Sequence, residues 1–237
     1  MTEPNLSEMK RIQKEYARRA AEIPKDFYSL ERAGNLFMEL GKFKAVVKVL
    51  SREKAFPLTG KKILDVGCGA GSGLLDFQKL GAEQSKLFGL DLLPERIDQA
   101  KKRLPEAVLR VGEASALPWP DAYFDIVFQS TVFTSILDSS LREAVANEMQ
   151  RVLKPDGIIL WYDFRFNNPW NPNVRGIERK EIARLFPRCD LKIKRVTLLP
   201  PLARTLAPIS WVLCLILEKT PLLNSHFLVL IRKKGQG

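Results

Sequence analysis

Four glycines occupy alternate positions in one short segment, Gly67, Gly69, Gly71 and Gly73, directly after an apolar run that ends at Val66. Because glycine has no Cβ, such a segment allows a tight turn and lets the backbone approach a ligand closely. The N-terminus of the helix predicted to follow would offer free N–H donors to that ligand. The spacing G-x-G-x-G departs from the G-x-G-x-x-G pattern of dinucleotide sites, so a bound pyrophosphate fits it less well.

Acidic side chains follow the next two apolar runs of the chain. Asp91 lies 20 residues beyond Gly71, at the end of the run that begins at Leu87. Glu113, followed by Ala114, comes just after a third run. At the carboxyl ends of neighbouring parallel strands, an aspartate accepts hydrogen bonds from ribose hydroxyls, and a second carboxylate can accept from the amino group of adenine. The two positions together predict a nucleoside pocket.

Strands that alternate with helices are the elements that would bring these residues together. From Lys61 onward, short apolar runs alternate with amphipathic stretches, which is the pattern of βαβ units. We predict an α/β fold with a Rossmann-like, doubly wound, seven-stranded sheet, in which five parallel strands precede a late strand pair. The predicted strands are Lys62–Val66, Leu87–Asp91, Val108–Val111, Phe124–Gln129, Gly157–Phe164, Leu191–Leu198 and His226–Ile231.

Helices are predicted on both flanks of this core. Periodicity indicates helices around Met9 to Ala20 and Leu36 to Val49, and we interpret residues 1–60 as an N-terminal helical lid. Residues 61–237 would form the main domain, so the chain is effectively one domain. The apolar segment 200–225 is predicted to be a helical insert before the last strand, where it could cap the acceptor side.

Four segments in this order resemble the class I S-adenosylmethionine-dependent methyltransferases: DVGCGAGSG, GLDLLPERI, VGEASALPWPDAYFDIVFQS and EMQRVLKPDGIILWYDF. The resemblance covers about residues 61–164. The flanking segments are similar to small-molecule methyltransferases of bacterial cell-surface glycan pathways. The resemblance implies S-adenosyl-L-methionine as the cofactor and S-adenosyl-L-homocysteine as the product.

The same resemblance implies roles for individual residues. Glu113 stands where the family more often has aspartate, and would bind adenine with the longer side chain. The residues implied to surround the methionine end, the ribose, the adenine and the sulfonium are Asp65, Gly67, Cys68, Gly69, Gly71, Asp91, Leu92, Ala114, Gln129 and Ser130. In the lid, Tyr16 and Arg19 would close over the cofactor carboxylate. We predict Cys68 to be a small residue of the loop rather than a nucleophile.

Three residues are candidates for a general base. His226 is the only histidine, and its ordinary pKa near 6.5 suits proton transfer at neutral pH. Tyr162 and Asp163 end the predicted fifth strand, on the edge where open α/β sheets bind ligands. The structural alternative is that His226 is a satisfied, half-buried side chain. No metal site is expected, because the three cysteines form no CxxC or Cys/His cluster.

The chain is basic mainly in its last third. Its formal net charge is +11, and residues 165–237 hold 14 basic against 4 acidic side chains, which leaves the first 164 residues nearly neutral. Within this basic region, Thr205 to Leu217 carries no charge, and its 13 residues are too few for a membrane-spanning helix. The region admits three accounts: solvated charges, a hydrophobic acceptor pocket or contact with an anionic membrane surface, and RNA binding.

These observations favour a methyltransferase that acts on a small or lipid-linked acceptor, at oxygen. The segment Gln129 to Val132 lacks the Asn/Asp-Pro-Pro-aromatic tetrapeptide of enzymes that methylate exocyclic amines, so a nucleic acid is not the expected acceptor. The alternatives are an RNA methyltransferase, favoured by charge, and a non-catalytic nucleoside-binding protein. Three cysteines at wide spacing and a polar N-terminal segment predict a cytoplasmic protein, with peripheral membrane contact left open.

Overall fold

The computed structural model describes residues 3–24, 26–169 and 171–235. Its centre is one seven-stranded sheet, whose strands are numbered here in chain order. They are β1 Ile63–Val66, β2 Leu87–Asp91, β3 Val108–Val111, β4 Phe124–Ser130, β5 Leu153–Phe164, β6 Cys189–Leu198 and β7 Asn224–Lys233. The strand order across the sheet is β3-β2-β1-β4-β5-β7-β6. Neighbours among β1 to β5 pair in parallel, whereas β7 runs antiparallel to both β5 and β6.

This arrangement confirms the predicted α/β fold with five parallel strands and a late antiparallel pair. Helices cover both faces, and their bounds are α1 Glu3–Glu22, α2 Ala33–Arg52, α3 Ser72–Lys79, α4 Pro94–Arg103, α5 Ser139–Val152, α6 Arg179–Leu185, α7 Pro200–Leu206 and α8 Trp211–Glu218. The strand order reverses at β1: β2 and β3 are added on one side of it, and β4 and β5 on the other. In open α/β sheets, the crevice at such a switch point is where ligands bind.

The bounds of five strands differ from the prediction, by one residue at the start of β1 and at the end of β4, and by two or more residues in β5, β6 and β7. β5 begins at Leu153 rather than Gly157, because Leu153 pairs with Phe124 ahead of a register shift. β6 begins at Cys189 rather than Leu191, because Cys189 pairs with Lys233. β7 begins at Asn224 rather than His226, so the helical insert ends slightly earlier than predicted.

The insert packs on α2 through a close backbone approach. A Cβ on Gly34 of α2 would lie 2.5 Å from Cα of Arg204 in α7, so only glycine allows this packing distance. Cys214 is the buried residue of α8 and joins a small core cluster with Phe37 of α2. This cluster is separate from the two larger ones that cover the faces of the sheet.

Candidate functional site

A cleft lies at the carboxyl edge of the sheet, where β1, β2, β3 and β4 end and α1 passes over them. Its cavity volume is about 140 Å³, and the cavity is continuous with solvent. The lining residues come from α1, from the ends of β1 to β4 and the segments that follow them, from the first turn of α4 and from α5: Met9, Ile12, Tyr16, Gly67, Leu90, Asp91, Leu92, Leu93, Arg96, Gly112, Glu113, Ala114, Ser115, Ser130, Thr131, Val132, Ser135, Ile136, Leu141 and Val145.

The glycine loop between β1 and α3 requires glycine at specific positions. Gly67, Gly69 and Gly71 all have positive φ angles, of 72°, 53° and 82°. A Cβ on Gly67 would lie only 2.4 Å from Cγ2 of Val132, at the other wall of the cleft. The loop can therefore approach the end of β4 closely only because Gly67 has no side chain.

Asp91 ends β2 with its carboxylate held in one orientation. Its Oδ2 accepts a 2.8 Å hydrogen bond from the backbone N–H of Gly69, and its Oδ1 accepts a 3.0 Å bond from the N–H of Leu93. The residue is 8% exposed and lines the cleft. Each carboxylate oxygen can accept more than one bond, so both oxygens remain able to accept from a ligand.

The end of β3 supplies a second carboxylate. Glu113 and Ala114 line the cleft beside Leu92, as the sequence predicts, and Gly112 donates its N–H to the carbonyl of Asp91 at 3.0 Å. This hydrogen bond holds the β3 end next to the β2 end. The cleft thus brings two carboxylates, from successive strands, to one wall.

The end of β4 forms the opposite wall, through Ser130, Thr131 and Val132. Gln129 itself is fully buried and does not line the cleft. Its Oε1 accepts from the N–H of Val132 at 3.0 Å, and its Nε2 donates to the carbonyl of Tyr162 at 3.3 Å. Gln129 therefore positions the wall residues rather than contacting the space between them.

Two other predicted residues, Asp65 and Cys68, lie behind the glycine loop. Oδ1 of Asp65 is buried with no hydrogen-bond partner among the described residues, and burial raises the pKa of this carboxyl to about 8. Burial also raises the pKa of the Cys68 thiol far above its usual range. A Cβ on Gly89 would lie 2.7 Å from the Cys68 sulfur, so the thiol packs against β2.

Tyr16 of α1, in the predicted lid, lines the cleft, and Arg96 of α4, which was not predicted, lies beside it. The hydroxyl of Tyr16 lies 3.3 Å from Oγ of Ser135 across the cleft, and the Arg96 guanidinium lies 4.7 Å from the Tyr16 ring centre. Arg19 does not line the cleft; it contacts Tyr16 from outside at 5.5 Å and donates to the hydroxyl of Tyr28 at 3.1 Å. Arg96 lies in the first turn of α4, shortly after Asp91 in the sequence. This closeness to Asp91 is the one sequence signal that could have indicated a place for Arg96 in the cleft.

Two buried glutamates fix α1 over the cleft, and no sequence pattern indicates either of them. Glu8 accepts from the N–H groups of Leu137 and Asp138 and pairs with Arg11 at 2.7 Å. Burial alone would raise the pKa of Glu8, but the bonds from Arg11 and Leu137 outweigh it, and the pKa is lowered. Glu15 accepts from the side-chain amide of Asn171 at 3.2 Å, from that of Asn173 at 2.8 Å, and from Arg18.

The three base candidates lie inside the sheet and do not line the cleft. Burial lowers the pKa of His226 to about 3, and its ring stacks on Tyr162 with centres 4.4 Å apart. The Tyr162 hydroxyl bonds to Thr197 at 2.8 Å, and burial raises its pKa above the usual range. Burial raises the pKa of Asp163 to about 7, even though its Oδ1 accepts a 2.6 Å bond from the hydroxyl of Thr134.

Thr134 belongs to the short 3-10 turn Phe133–Ser135 that carries one wall of the cleft. Asp163 also accepts from the backbone N–H of Thr134 at 3.2 Å. The buried carboxyl is therefore a support for this wall. Among the described residues, the cleft is lined by four titratable side chains: Tyr16, Asp91, Arg96 and Glu113.

The described part of the chain holds no group of three or more His, Cys, Asp or Glu side chains arranged for a metal ion. Over residues 3–24, 26–169 and 171–235, no helix is both long enough and apolar enough to cross a membrane.

Comparison with known proteins finds similarity over the region that contains the strand ends of the cleft. Residues 64–161 match the family model described as a methyltransferase domain. The chain is 32% identical over 111 residues to an uncharacterized methyltransferase of Synechocystis, covering 47% of this chain and 50% of that protein. It is 37% identical over 103 residues to the malonyl-[acyl-carrier protein] O-methyltransferase of Serratia marcescens, covering 43% of this chain and 38% of that protein.

The chain thus spans half or less of the length of these two curated relatives. Among solved structures, the chain resembles one chain from the complex between the Trm112 methyltransferase activator of Haloferax volcanii and a methyltransferase. The TM-score is 0.60 at 18% identity. That match covers 90% of this chain and 98% of the other. At this identity the likeness concerns the fold alone.

Proposed function

We propose that the chain, whose residues 64–161 match a methyltransferase domain, is a class I S-adenosylmethionine-dependent methyltransferase that methylates a small or lipid-linked acceptor at an oxygen atom. The observation that carries the proposal is the pair of carboxylates, Asp91 and Glu113, on one wall of a cleft whose floor is a glycine loop. Carboxylates at successive strand ends suit the ribose and the adenine of a nucleoside.

The residues present fit the cofactor. The fixed carboxylate of Asp91 has free acceptor capacity toward the cleft for ribose hydroxyls, while Glu113, Ala114 and Leu92 line the part assigned to adenine. The glycine loop would hold the methionine end. The unpartnered Oδ1 of Asp65, behind that loop, is a hydrogen-bond acceptor that could be satisfied by the ammonium group of the cofactor.

When bound, S-adenosylmethionine supplies a methyl group on a positively charged sulfur that is already activated for displacement. The protein then has to align the acceptor oxygen with the carbon and keep water away, and alignment alone can account for a large part of such a rate enhancement. Met9 and Ile12 of α1 give the cleft an apolar roof for this purpose. In the reaction the S–C bond breaks, the O–C bond forms and the product is the neutral sulfide.

The acceptor class follows from the side chains that line the cleft. A neutral hydroxyl would need a base to take its proton, but the base candidates Tyr162, Asp163 and His226 are buried away from the cleft. We therefore infer an acceptor whose oxygen is already ionised at neutral pH, such as a carboxylate or an acidic enol or phenol. The Serratia relative, an O-methyltransferase of malonyl-[acyl-carrier protein], is in keeping with this class.

The experiment is to incubate the chain with methyl-labelled S-adenosylmethionine and, separately, with a polar-lipid extract, an extract of small organic acids and total RNA. We expect label in one of the first two extracts. Release of that label as methanol by mild alkali would identify a carboxylate acceptor, because a methyl ester is hydrolysed, whereas label that is retained would identify the ether of an enol or phenol. Label in RNA would favour the RNA methyltransferase. Cofactor binding without label in any acceptor would favour a non-catalytic nucleoside-binding protein.

We also propose a reducing compartment, the cytoplasm, as the site of action. Cys68, Cys189 and Cys214 are all free and buried. Free thiols persist where glutathione and thioredoxin keep them reduced. Proteomic labelling of compartments would test this proposal.

A further inference from the structure

The helix α8 is apolar over almost its whole circumference, yet it lies on the surface. Seven of its eight residues are apolar or cysteine, and only Cys214 is buried. Val212 is 67% exposed and Ile216 is 57% exposed. A helix that is hydrophobic all round is normally covered by other elements. The exposed members of this surface, called here the apolar patch, are Ile209, Trp211, Val212, Leu213, Leu215, Ile216 and Leu222.

The shape of the patch is convex. At about 100° per residue, the exposed positions from Trp211 to Ile216 cover about 200° of the helix circumference. The uncovered side is thus the outer half of a single helix, flanked by Ile209 and Leu222, which are 77% and 71% exposed. A convex ridge offers little flat area to a rigid partner, whereas fluid hydrocarbon can close around it.

Exposed basic residues extend from the C-terminal end of the patch. Nζ of Lys44 lies 3.9 Å from Oε2 of Glu218, the last residue of α8. Lys48 and Arg52 follow Lys44 at intervals of four residues along α2, so the three form one stripe on that helix. All three are exposed. We call them the basic stripe, and Lys219, also exposed, continues it onto the insert.

We propose that the apolar patch inserts into the interface of an anionic lipid bilayer while the basic stripe contacts the lipid head groups. An eight-residue helix is only about 12 Å long, so α8 would lie in the plane of the interface, where amphipathic helices bury their apolar face about 5–10 Å deep. Lysine and arginine beside an anionic surface add attraction that decreases with salt.

A second copy of the chain is the other occupant that the patch could have. A symmetric dimer through the patch would use the same surface on both copies. It would then bring two basic stripes close together, and their repulsion would oppose association. The charge next to the patch therefore favours the anionic bilayer.

Contacts connect this surface to the lid of the cleft. The Arg204 guanidinium of α7 lies 4.4 Å from the ring centre of Phe27, in the segment between α1 and α2. The next residue, Tyr28, is bonded to Arg19, which in turn contacts Tyr16 in the cleft. Docking would therefore bring the lid side of the cleft to the membrane, where an amphiphilic acceptor resides. That consequence rests on the proposed methyl transfer; the docking itself does not.

The test is flotation of the full chain with vesicles, without cofactor or acceptor, so that its outcome is independent of any catalytic activity. Vesicles of phosphatidylcholine mixed with phosphatidylglycerol are compared with vesicles of phosphatidylcholine alone, at low and at high salt. We expect the chain to float with the anionic vesicles and to lose binding as salt increases. Binding that is equally tight to both kinds of vesicle, or to neither, would overturn the proposal.

Variants separate the two parts of the surface. The double change Val212→Ser and Ile216→Ser should weaken binding to anionic vesicles about tenfold or more, since two exposed apolar side chains are lost. Val111→Ser is the matched control, because Val111 is 51% exposed on β3, at the opposite edge of the sheet. Lys44→Gln with Lys48→Gln should weaken binding, whereas Lys101→Gln with Lys102→Gln, on exposed positions of α4, should not.

Circular dichroism checks that each variant is folded. Sedimentation measures the oligomeric state of the wild-type chain and of the double serine variant. A dimer that the serine changes dissociate, in a chain that does not float with anionic vesicles, would assign the patch to a second copy and contradict the proposal. A monomer whose flotation depends on both the patch and the stripe would support it.

Discussion

The backbone N–H of Gly69 donates a 2.8 Å hydrogen bond to Oδ2 of Asp91. This bond joins the glycine loop after β1 to the end of β2, so the two motifs that the sequence singles out separately form one rigid unit. Because Oδ1 accepts from Leu93, the carboxylate has one orientation before any ligand arrives. Preorganisation of this kind reduces the ordering cost of binding.

The close approach of Gly67 to Val132 gives a prediction about stability. Gly67→Ala should lower the free energy of unfolding by about 2–5 kcal/mol, since a left-handed conformation costs an alanine about 1–2 kcal/mol and a forced contact costs about 1–3 kcal/mol. Denaturant unfolding measures the change. Gly60→Ala is the matched control, because Gly60 has a similar φ of 76° and nothing within 4 Å of its Cβ position.

Gly67→Ala should lose more unfolding free energy than Gly60→Ala does. Adding Val132→Ala to Gly67→Ala should recover most of this difference, because the second change removes the obstructing methyl groups. If the double variant is as unstable as the sum of the two single variants, the contact between the loop and the end of β4 is not the cause.

The Glu8 anchor predicts how firmly α1 is held over the cleft. Glu8→Gln should speed amide hydrogen exchange in α1 about tenfold or more, because charge-assisted bonds to the 137–138 backbone and to Arg11 are weakened. Glu22→Gln is the control, since Glu22 pairs with Arg18 on the exposed side of the same helix. Equal exchange rates in the two variants would contradict the assigned role of Glu8.

The lowered pKa of Glu8 also sets the direction of a pH effect. The folded state holds the carboxylate ionised at pH values where the unfolded chain, with an ordinary pKa of 4.5, already binds a proton. The stabilisation by Glu8 is therefore fully present above pH 4.5 and is lost as the pH falls through the lower folded value. Amide hydrogen exchange in α1 of the wild-type chain should therefore become faster in acid, and the Glu8→Gln variant should lack this acid-dependent increase.

His226 is expected to be a structural residue. Its folded pKa of about 3 lies below the unfolded value of 6.5, so the unfolded chain binds a proton first as the pH decreases. The stabilisation by the neutral ring is complete above pH 6.5 and declines as the pH falls toward 3. His226→Phe, which keeps an aromatic ring beside Tyr162 and Phe164, should flatten this part of the curve of unfolding free energy against pH.

The same variant addresses catalysis. If His226 does not act as a base, kcat for the identified acceptor should not titrate near pH 6.5 in the wild-type chain, and His226→Phe should leave the pH profile unchanged. A profile with a pKa near 6.5 that disappears in the variant would restore His226 as the general base.

The sequence predicted the parts of this site that depend on local order. The strand, glycine loop and helix from Ile63 to Lys79 follow one another in the chain, and Asp91 and Glu113 end runs whose apolar composition marks them as strands. Parallel strands end at one edge of a sheet, so the meeting of these residues follows from topology alone. The same reasoning located the end of β4.

The parts that were missed depend on contacts between distant segments. Glu8 binds the backbone at positions 137 and 138, and nothing near Glu8 in the sequence indicates that partner. β5 is buried on both faces, so its composition does not reveal which way Tyr162 and Asp163 point. His226 attracted attention as the only histidine, but β7 lies between β5 and β6, and its burial there is a property of the assembled sheet.

The most direct test of the account is isothermal titration calorimetry of the wild-type chain and of Asp91→Asn with S-adenosylhomocysteine. The wild-type chain should bind, and Asp91→Asn should raise Kd about 100-fold, since charge-assisted bonds to the ribose are each worth about 1.5–3 kcal/mol. Asp98→Asn, on an exposed position of α4, should leave Kd unchanged. A folded Asp91→Asn variant that binds within about threefold of the wild-type Kd, or a wild-type chain that does not bind, would contradict the assignment of the cleft.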